Sequence, residues 1–169
     1  MTLAYHTPLT AEIQHEFGIT PPAPLALADK VRFSELDVLQ HVNNAVYMQW
    51  FETVRVRYLK IFGLSGNLGD ATGPRIVLRS ASIHYKQEML LDEDYVVTCG
   101  VTSFRNTSFT MHQQLWSDRS LRASMDCVVV LLRPDGSGRF PIPDELRRQF
   151  VERDGAHPEG QHIRSARMT

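Results

Sequence analysis

Hydrophobic residues recur at two different periods along the chain, and the first of them predicts a long helix. Apolar side chains follow one another at spacings of three and four, which marks one face of an α-helix, at Tyr47, Phe51, Val54, Tyr58 and Phe62. We predict a helix from about residue 43 to residue 64. Because Trp50, Leu59 and Ile61 widen its apolar surface, we expect this helix to be largely enclosed.

The second period is that of β-strands, in which every other side chain is apolar. Four segments show it, with apolar positions at Val77, Ala81, Ile83 and Tyr85; at Tyr95, Val97, Cys99 and Val101; at Phe109, Met111 and Leu115; and at Leu121, Ala123, Met125, Cys127, Val129 and Leu131. Their short connections favour antiparallel pairing. A shorter alternating segment at residues 30–33 predicts one more strand before the helix.

These elements predict an α+β fold in which a curved antiparallel sheet of about five strands wraps around the long helix. The free edges of such a sheet would be satisfied by a second copy, so we expect a homodimer. Residues 1–27 form an N-terminal extension with a short helix capped by Thr10, and residues 28–152 form the domain, ending in a helix at residues 144–152. The polar tail, residues 153–169, is expected to be disordered.

Composition and charge narrow the possible partners. The chain has 169 residues, 43% of them hydrophobic, as in one soluble globular domain, and a formal net charge of -1 offers no broad basic surface for nucleic acid. No apolar run approaches the roughly 20 residues of a membrane-spanning helix, and the N-terminus does not resemble a secretory signal. We therefore expect no nucleic-acid or membrane partner and a cytoplasmic location. Cys99 and Cys127 are expected as buried thiols, and the dispersed histidines predict no metal site.

The segment between the first strand and the long helix is dense in polar residues, namely Ser34, Glu35, Asp37, Gln40, His41, Asn43 and Asn44. The N-terminus of a helix has unpaired backbone N–H groups and the positive end of the helix dipole. Both stabilise the oxyanion that forms during acyl transfer. The sequence therefore predicts a functional site where this segment meets the helix.

The stretch SELDVLQHVNNAVYMQWFETVR, residues 34–55, resembles a family motif. The motif D-x-D-x-x-G-H-V-N-N-x-x-Y, followed by F-E-x-x-R, belongs to the 4-hydroxybenzoyl-CoA thioesterase branch of the hotdog superfamily, and the likeness spans roughly residues 28–150. Two positions depart from it: Glu35 replaces an aspartate, and Gln40 replaces a glycine. The form with glutamine is similar to the plant acyl-ACP thioesterases of the same fold.

The resemblance implies a hotdog fold and a catalytic role for the carboxylate of Asp37. In the family this carboxylate attacks the thioester carbonyl or activates a water, and the sequence does not separate the two roles. Asp37 would otherwise cap a helical turn. The Asn44 N–H is the candidate oxyanion donor, and its side chain would equally serve as a cap. His41 and Asn43 would orient Asp37 or a water, unless they only satisfy the loop backbone.

Substrate-binding residues follow from the same resemblance. Tyr47, Met48 and Phe51 on the helix would line an apolar acyl pocket. Arg105 and Ser108 lie where the family places positive charge near the phosphates of CoA, and an arginine fork suits phosphate. The alternative is that Arg105 is an ordinary solvated charge.

The function implied is hydrolysis of a fatty or aromatic acyl-CoA to the free acid and the CoA thiol, with CoA as part of the substrate and no separate cofactor. The open alternatives are an acyl-ACP thioesterase, a hotdog hydratase or dehydratase, and a non-catalytic acyl-CoA binding module. The homodimer would further assemble as a dimer of dimers, a homotetramer. Glu52 would be a second carboxylate, although pairing with Arg55 is the commoner role at this spacing.

Overall fold

Three α-helices, one short 3-10 helix and six strands occur in the part of the protein that the structure describes. It is a computed structural model that describes residues 3–63 and 73–160. The helices are α1 (Ala11–Glu16), α2 (Asn44–Ile61) and α3 (Asp144–Asp154); the strands are β1 (Leu25–Lys30), β2 (Arg75–Tyr85), β3 (Asp94–Phe104), β4 (Ser108–Ser117), β5 (Ser120–Leu132) and β6 (His157–Pro158). No helix in these ranges combines the length and apolarity needed to cross a membrane.

The five longer strands form one antiparallel sheet in the order β1-β3-β4-β5-β2, and the short β6 pairs parallel with β3. The inward side chains of β3, β4 and β5 pack with the buried face of α2 in the main core. The predicted arrangement of one long helix on an antiparallel sheet is therefore confirmed. Cys99 and Cys127 lie in this core as free thiols, as predicted, and burial raises the pKa of both.

Helix α2 agrees closely with the prediction. Asn43 is its N-cap, where its side-chain oxygen accepts the Ala45 N–H at 2.9 Å, and the last helical residue is Ile61; residue 64, the predicted end, lies outside the described residues. Trp50 and Leu59 are buried as predicted. The prediction was wrong for Ile61, which is 41% exposed because α2 turns only one face towards the sheet.

The strand predicted at residues 30–33 was placed wrongly. The structure has β1 at Leu25–Lys30, and the chain then turns through a short 3-10 helix at Phe33–Glu35. The residues of β1 do not alternate, because both faces are covered: Leu25 and Leu27 join the main core, while the alanines between and after them join a second cluster. A strand buried on both faces has no period of two for the sequence to show.

The N-terminal extension covers the outer face of β1 and β3. Helix α1 starts at the predicted cap, where the side chain of Thr10 accepts the Ile13 N–H at 3.5 Å. The apolar residues of this segment pack against the outward residues of the sheet in a second cluster of buried side chains: Leu9, Ile19, Ala26, Ala28 and Val96. The extension is thus part of the packed structure, and the domain boundary at residues 27 and 28 stays a prediction.

Strand β2 forms one edge of the sheet and is exposed along most of its length. Its register against β5 shifts between Leu78 and Ser80, so Val77 pairs with Val130 whereas Ala81 pairs with Cys127. The shift places Val77 on the face opposite to Ala81, which corrects the predicted alternation. An extra residue in a strand inverts the faces beyond it, and this was not apparent from the pattern.

The C-terminal segment is ordered further than predicted. Helix α3 extends to Asp154, whose side chain is fully buried, and β6 pairs with β3 at Ser103 and Phe104. The prediction of disorder was therefore wrong for residues 153–160. Their order depends on contacts with residues that are distant in sequence, which a local pattern does not show. Residues 161–169 lie outside the described part.

Candidate functional site

The polar segment before α2 forms a tight turn closed by its own backbone. The Asp37 N–H donates to the His41 carbonyl at 2.9 Å, and the Gln40 N–H donates to the Asp37 carbonyl at 3.1 Å. Gln40 has a φ of 65°, in the left-handed region that glycine adopts most readily. The residue at the motif's glycine position thus keeps the backbone conformation that favours glycine, and for glutamine that conformation costs about 1 kcal/mol.

The carboxylate of Asp37 has one oxygen engaged in the turn and one that is freer. Its Oδ1 accepts the Leu39 N–H at 2.8 Å, while Oδ2 lies 3.5 Å from Nδ1 of His41. The side chain is 25% exposed, so it is neither buried in the core nor free of the protein. The Asp37 side chain therefore does cap the turn through Oδ1, and its Oδ2 remains available for chemistry.

The first turn of α2 offers an unused donor. The Asn43 side-chain oxygen accepts the Ala45 N–H, and the backbone N–H of Asn43 donates to the Glu35 carbonyl at 2.9 Å. The Asn44 carbonyl accepts the hydroxyl of Tyr85 at 3.2 Å, whereas the Asn44 N–H makes no hydrogen bond to any residue that the structure describes. This N–H and the helix dipole can stabilise a negatively charged oxygen.

The residues predicted for the acyl group differ in exposure. Tyr47 and Phe51 are buried in the main core, and Met48 is half-buried against it. The Tyr47 ring meets the Tyr85 ring edge-on, with centroids 5.1 Å apart, and burial raises the pKa of Tyr47 to about 12. In a single chain, therefore, Met48 is the member of this set with its side chain partly open.

Arg105 and Ser108 line one cavity of about 370 Å³, at the end of the sheet where β3 turns into β4. Arg79 of β2 lines the same cavity, which gives it a second guanidinium. Nε of Arg105 lies 2.9 Å from the carboxylate of Glu159, just after β6. Asp37 does not line this cavity, so a single chain does not bring all the predicted site residues into one pocket.

Sequence reasoning missed Arg79 and Glu159 as neighbours of Arg105. Glu159 fell in a segment predicted to be disordered, and Arg79 lies at the register shift of β2. No local pattern signals either contact, because the three residues come from parts of the chain that are far apart in sequence.

Two further expectations concern charged groups on α2 and metals. The Arg55 guanidinium lies 3.7 Å from the Glu52 carboxylate, which is the pairing expected at this spacing. Within the described ranges, no three or more His, Cys, Asp or Glu side chains are grouped to hold a metal ion. The absence of a metal site stays a prediction.

The surface around the Asp37 turn is unusually apolar. Phe33 is 76% exposed, Val38 93% and Leu39 70%. Leu90 and Leu91 are also exposed, and Leu90 forms a β-bridge with His41 beside the turn. We call these five residues the turn patch. Exposed apolar groups of this size mark an interaction surface more often than an ordinary solvated one.

Solved structures of thioesterases resemble this chain. A thioesterase-superfamily protein from Jannaschia Sp. CCS1 has 44% sequence identity over 92% of this chain and 98% of its own, with a TM-score of 0.85. A thioesterase from Thermus thermophilus, complexed with coenzyme A and Zn, has 26% identity over 80% of this chain and 98% of its own, with a TM-score of 0.68. A gentisyl-coenzyme A thioesterase has 18% identity over 74% and 98%, with a TM-score of 0.65, and shows likeness of fold alone.

These relatives confirm the predicted hotdog fold. The family model described as the Thioesterase-like superfamily matches residues 31–150, which is more than half of the chain. The protein therefore belongs to the Thioesterase-like superfamily.

Proposed function

We propose that this protein hydrolyses fatty or aromatic acyl-CoA to the free acid and the CoA thiol, with Asp37 as its catalytic carboxylate. Two observations carry the proposal: Oδ2 of Asp37 is free of backbone bonds, and the N–H at the start of α2 has no hydrogen-bond partner among the described residues. Thioester hydrolysis needs these two groups, one to deliver or become the nucleophile and one to stabilise the oxyanion.

In the general-base form of the reaction, Oδ2 of Asp37 takes a proton from a water whose oxygen attacks the thioester carbonyl carbon. The carbonyl electrons move onto its oxygen, which the Asn44 N–H stabilises. When the carbonyl re-forms, the C–S bond breaks and the proton passes to the leaving thiolate. In the nucleophilic form, Asp37 itself attacks and expels the thiolate, and water then hydrolyses the mixed anhydride. In both forms His41, 3.5 Å away, orients the carboxylate.

The carrier is proposed to be CoA because two guanidinium groups face one cavity. Arg79 and Arg105 line it with Ser108, and arginine binds phosphate through two parallel hydrogen bonds. The Thermus relative is a complex with coenzyme A. The second candidate is an acyl-ACP thioesterase, which the residues LDVLQHVNN favour through their similarity to the plant enzymes.

A second copy of the chain would complete the acyl pocket. The turn patch is open to solvent beside Asp37, and β2 leaves one edge without a strand partner in the described part of the chain. An unpaired edge strand is a template for pairing with another chain. We therefore propose a homodimer joined along β2 that covers the turn patch, with a dimer of dimers as the larger assembly. The cytoplasmic location stays a prediction.

A thiol-release assay over acyl groups and carriers tests the function. The panel contains benzoyl-CoA, octanoyl-CoA, palmitoyl-CoA and octanoyl-ACP, and the product acid is measured beside the thiol. The proposal predicts equal amounts of acid and thiol from at least one CoA ester, and slower release from the ACP ester. Faster turnover of octanoyl-ACP would transfer the assignment to the second candidate.

Two other outcomes would contradict hydrolysis itself. Addition of water to crotonyl-CoA without free thiol would identify a hydratase. Saturable binding of octanoyl-CoA without thiol release from any ester would identify a binding module. Light scattering of the purified protein tests the proposed assembly separately, and we expect a mass of at least twice that of one chain.

A further inference from the structure

A second cavity, of about 300 Å³, lies between β1 and the side of α2 that faces it. Its walls come from the N-terminal segment, β1, the turn after β1, α2 and β3, and include His6, Leu27, Glu35, Trp50 and Tyr95. Asp37, Arg105 and Ser108 do not line it. The cavity is therefore separate from both parts of the site proposed for thioester hydrolysis.

The N-terminal segment closes one side of this cavity. The His6 N–H donates to the Ala28 carbonyl at 3.0 Å, and the Leu9 N–H donates to the Ala26 carbonyl at 2.9 Å. The segment is thus bonded to β1 rather than loosely placed over it. The cavity is consequently a built feature of the extension and the domain together.

Tyr95 supplies a polar group that is free to bind a ligand in the cavity. The residue is 3% exposed and lines the cavity, yet its hydroxyl makes no hydrogen bond to any residue in the described ranges. The hydroxyl oxygen is not among the buried polar atoms without a partner, so it opens onto the cavity, where an acceptor on a ligand can reach it. Burial, followed by the nearby charges of Asp29 and Glu35, raises the pKa of Tyr95, so the hydroxyl keeps its proton and acts as a donor.

The charged groups at the cavity are already paired with one another. Both oxygens of Asp29 accept hydrogen bonds from Nη2 of Arg32, at 3.0 Å and 2.8 Å. The Glu35 carboxylate accepts the Trp50 indole N–H at 3.0 Å and the Arg32 N–H at 2.7 Å. Because two carboxylates face one guanidinium that is already bound, a ligand with a negative charge is disfavoured here.

The rest of the lining is aromatic and aliphatic. The rings of Trp50 and Tyr95 stack with centroids 4.2 Å apart, and Leu27, Val54 and Val97 add apolar surface. Ligand pockets typically combine such a lining with a few placed polar groups, and their volumes start near about 300 Å³. We infer that this cavity binds a small neutral molecule with an aromatic or apolar body and one acceptor for the Tyr95 hydroxyl.

Nuclear magnetic resonance of the two tryptophan indole N–H groups tests this inference in the full chain. Trp50 lines the cavity and Trp116 does not, and the Trp116→Phe variant assigns the two signals. The probe is benzamide, which is neutral and carries a carbonyl acceptor; benzoate is the matched anion. We expect a saturable shift of the Trp50 signal alone with benzamide, and binding of benzoate about tenfold weaker or worse.

Two variants test the assigned contacts. Tyr95→Phe removes only the hydroxyl and should weaken benzamide about fivefold to tenfold, in line with the loss of one hydrogen bond. Thr53→Phe places an aromatic ring at an exposed position of the lining and should abolish the benzamide-induced shift of the Trp50 signal without changing the packing of the core. Unchanged benzamide affinity in Tyr95→Phe would overturn the inference. Equal binding of benzoate, or equal shifts of both indole signals, would do the same. If Tyr95→Phe does not fold, an unaltered Trp50 shift in Thr53→Phe overturns it.

Discussion

Replacing Asp154 with alanine tests how the end of α3 is fastened to the core. The buried Asp154 carboxylate accepts hydrogen bonds from the Tyr58 hydroxyl at 2.5 Å, the Val101 N–H at 2.7 Å and Nε of Arg153 at 2.6 Å. These three donors belong to α2, β3 and α3. A single side chain therefore connects the helix that begins at the proposed site with the sheet and the C-terminal helix.

The expected loss of stability follows from what alanine leaves behind. The Tyr58 hydroxyl and the Val101 N–H would lose a buried acceptor, and Arg153 would lose its opposite charge. Removing one partner of a buried charge pair costs about 3–5 kcal/mol. For a domain of this size each kcal/mol lowers the melting temperature by about 2–4 °C, so we expect a decrease of about 6–20 °C. Urea unfolding, with the temperature of half-unfolding measured in parallel, gives both quantities.

Asp126→Ala is the matched control. Asp126 also pairs closely, with Nδ1 of His112 at 2.7 Å, but its side chain is 56% exposed. An exposed pair contributes about 0–1 kcal/mol, so this variant should stay near the wild type. A loss below about 1 kcal/mol in Asp154→Ala, or equal losses in both variants, would refute the reasoning from burial.

Three further predictions concern alkaline pH, the Asp37 turn and the phosphate cavity. Burial raises the pKa of Tyr47 to about 12, from about 10 in the unfolded chain. The stability that Tyr47 contributes is therefore complete below pH 10 and is lost as the pH rises to about 12. Absorbance at 295 nm, together with urea unfolding, measures this loss. In urea unfolding, Gln40→Gly should leave the free energy of unfolding unchanged or raise it by up to about 1 kcal/mol, whereas Gln149→Gly inside α3 should lower it by about 1 kcal/mol. A clear loss of stability in Gln40→Gly would contradict the left-handed conformation of residue 40. Glu159→Gln removes the carboxylate that pairs with Arg105 and so frees its guanidinium for phosphate. The KM for octanoyl-CoA should fall about twofold to fivefold at low salt, with kcat unchanged. An unaltered KM would count against Arg105 as a phosphate ligand.

The sequence predicted the elements whose surfaces are covered on one side. Helix α2 and strands β4 and β5 turn one face to the core, so their apolar residues repeat at the period of the element. Strand β1 was predicted at residues 30–33 instead of Leu25–Lys30, because the extension covers its outer face and so removes the alternation. The shift between Leu78 and Ser80 and the burial of Asp154 depend on contacts with β5, α2 and β3, and a local pattern does not contain such contacts.

The Asp37 turn and the Arg105 cavity likewise differ in how well the sequence predicts them. The turn around Asp37 lies within a few consecutive residues, so the motif located the turn, and Gln40 adopts the left-handed conformation at the motif's glycine position. The neighbours of Arg105 come from β2 and from the chain after β6. The cavity beside Tyr95 likewise combines the N-terminal segment with α2 and β3. Long-range packing creates both cavities, and the spacing of residues along the chain does not reveal them.

The rate of thiol release by Asp37→Asn, measured with the best CoA ester of the panel, tests the central claim most directly. Asparagine keeps an oxygen that can accept the Leu39 N–H, so the turn and the unfolding midpoint should be preserved, and Asp126→Asn is the control for a lost surface charge. Removing the carboxylate should lower kcat by about 10²–10⁴-fold, the usual range for a general base. A folded Asp37→Asn protein with kcat within about twofold of the wild type would contradict the account.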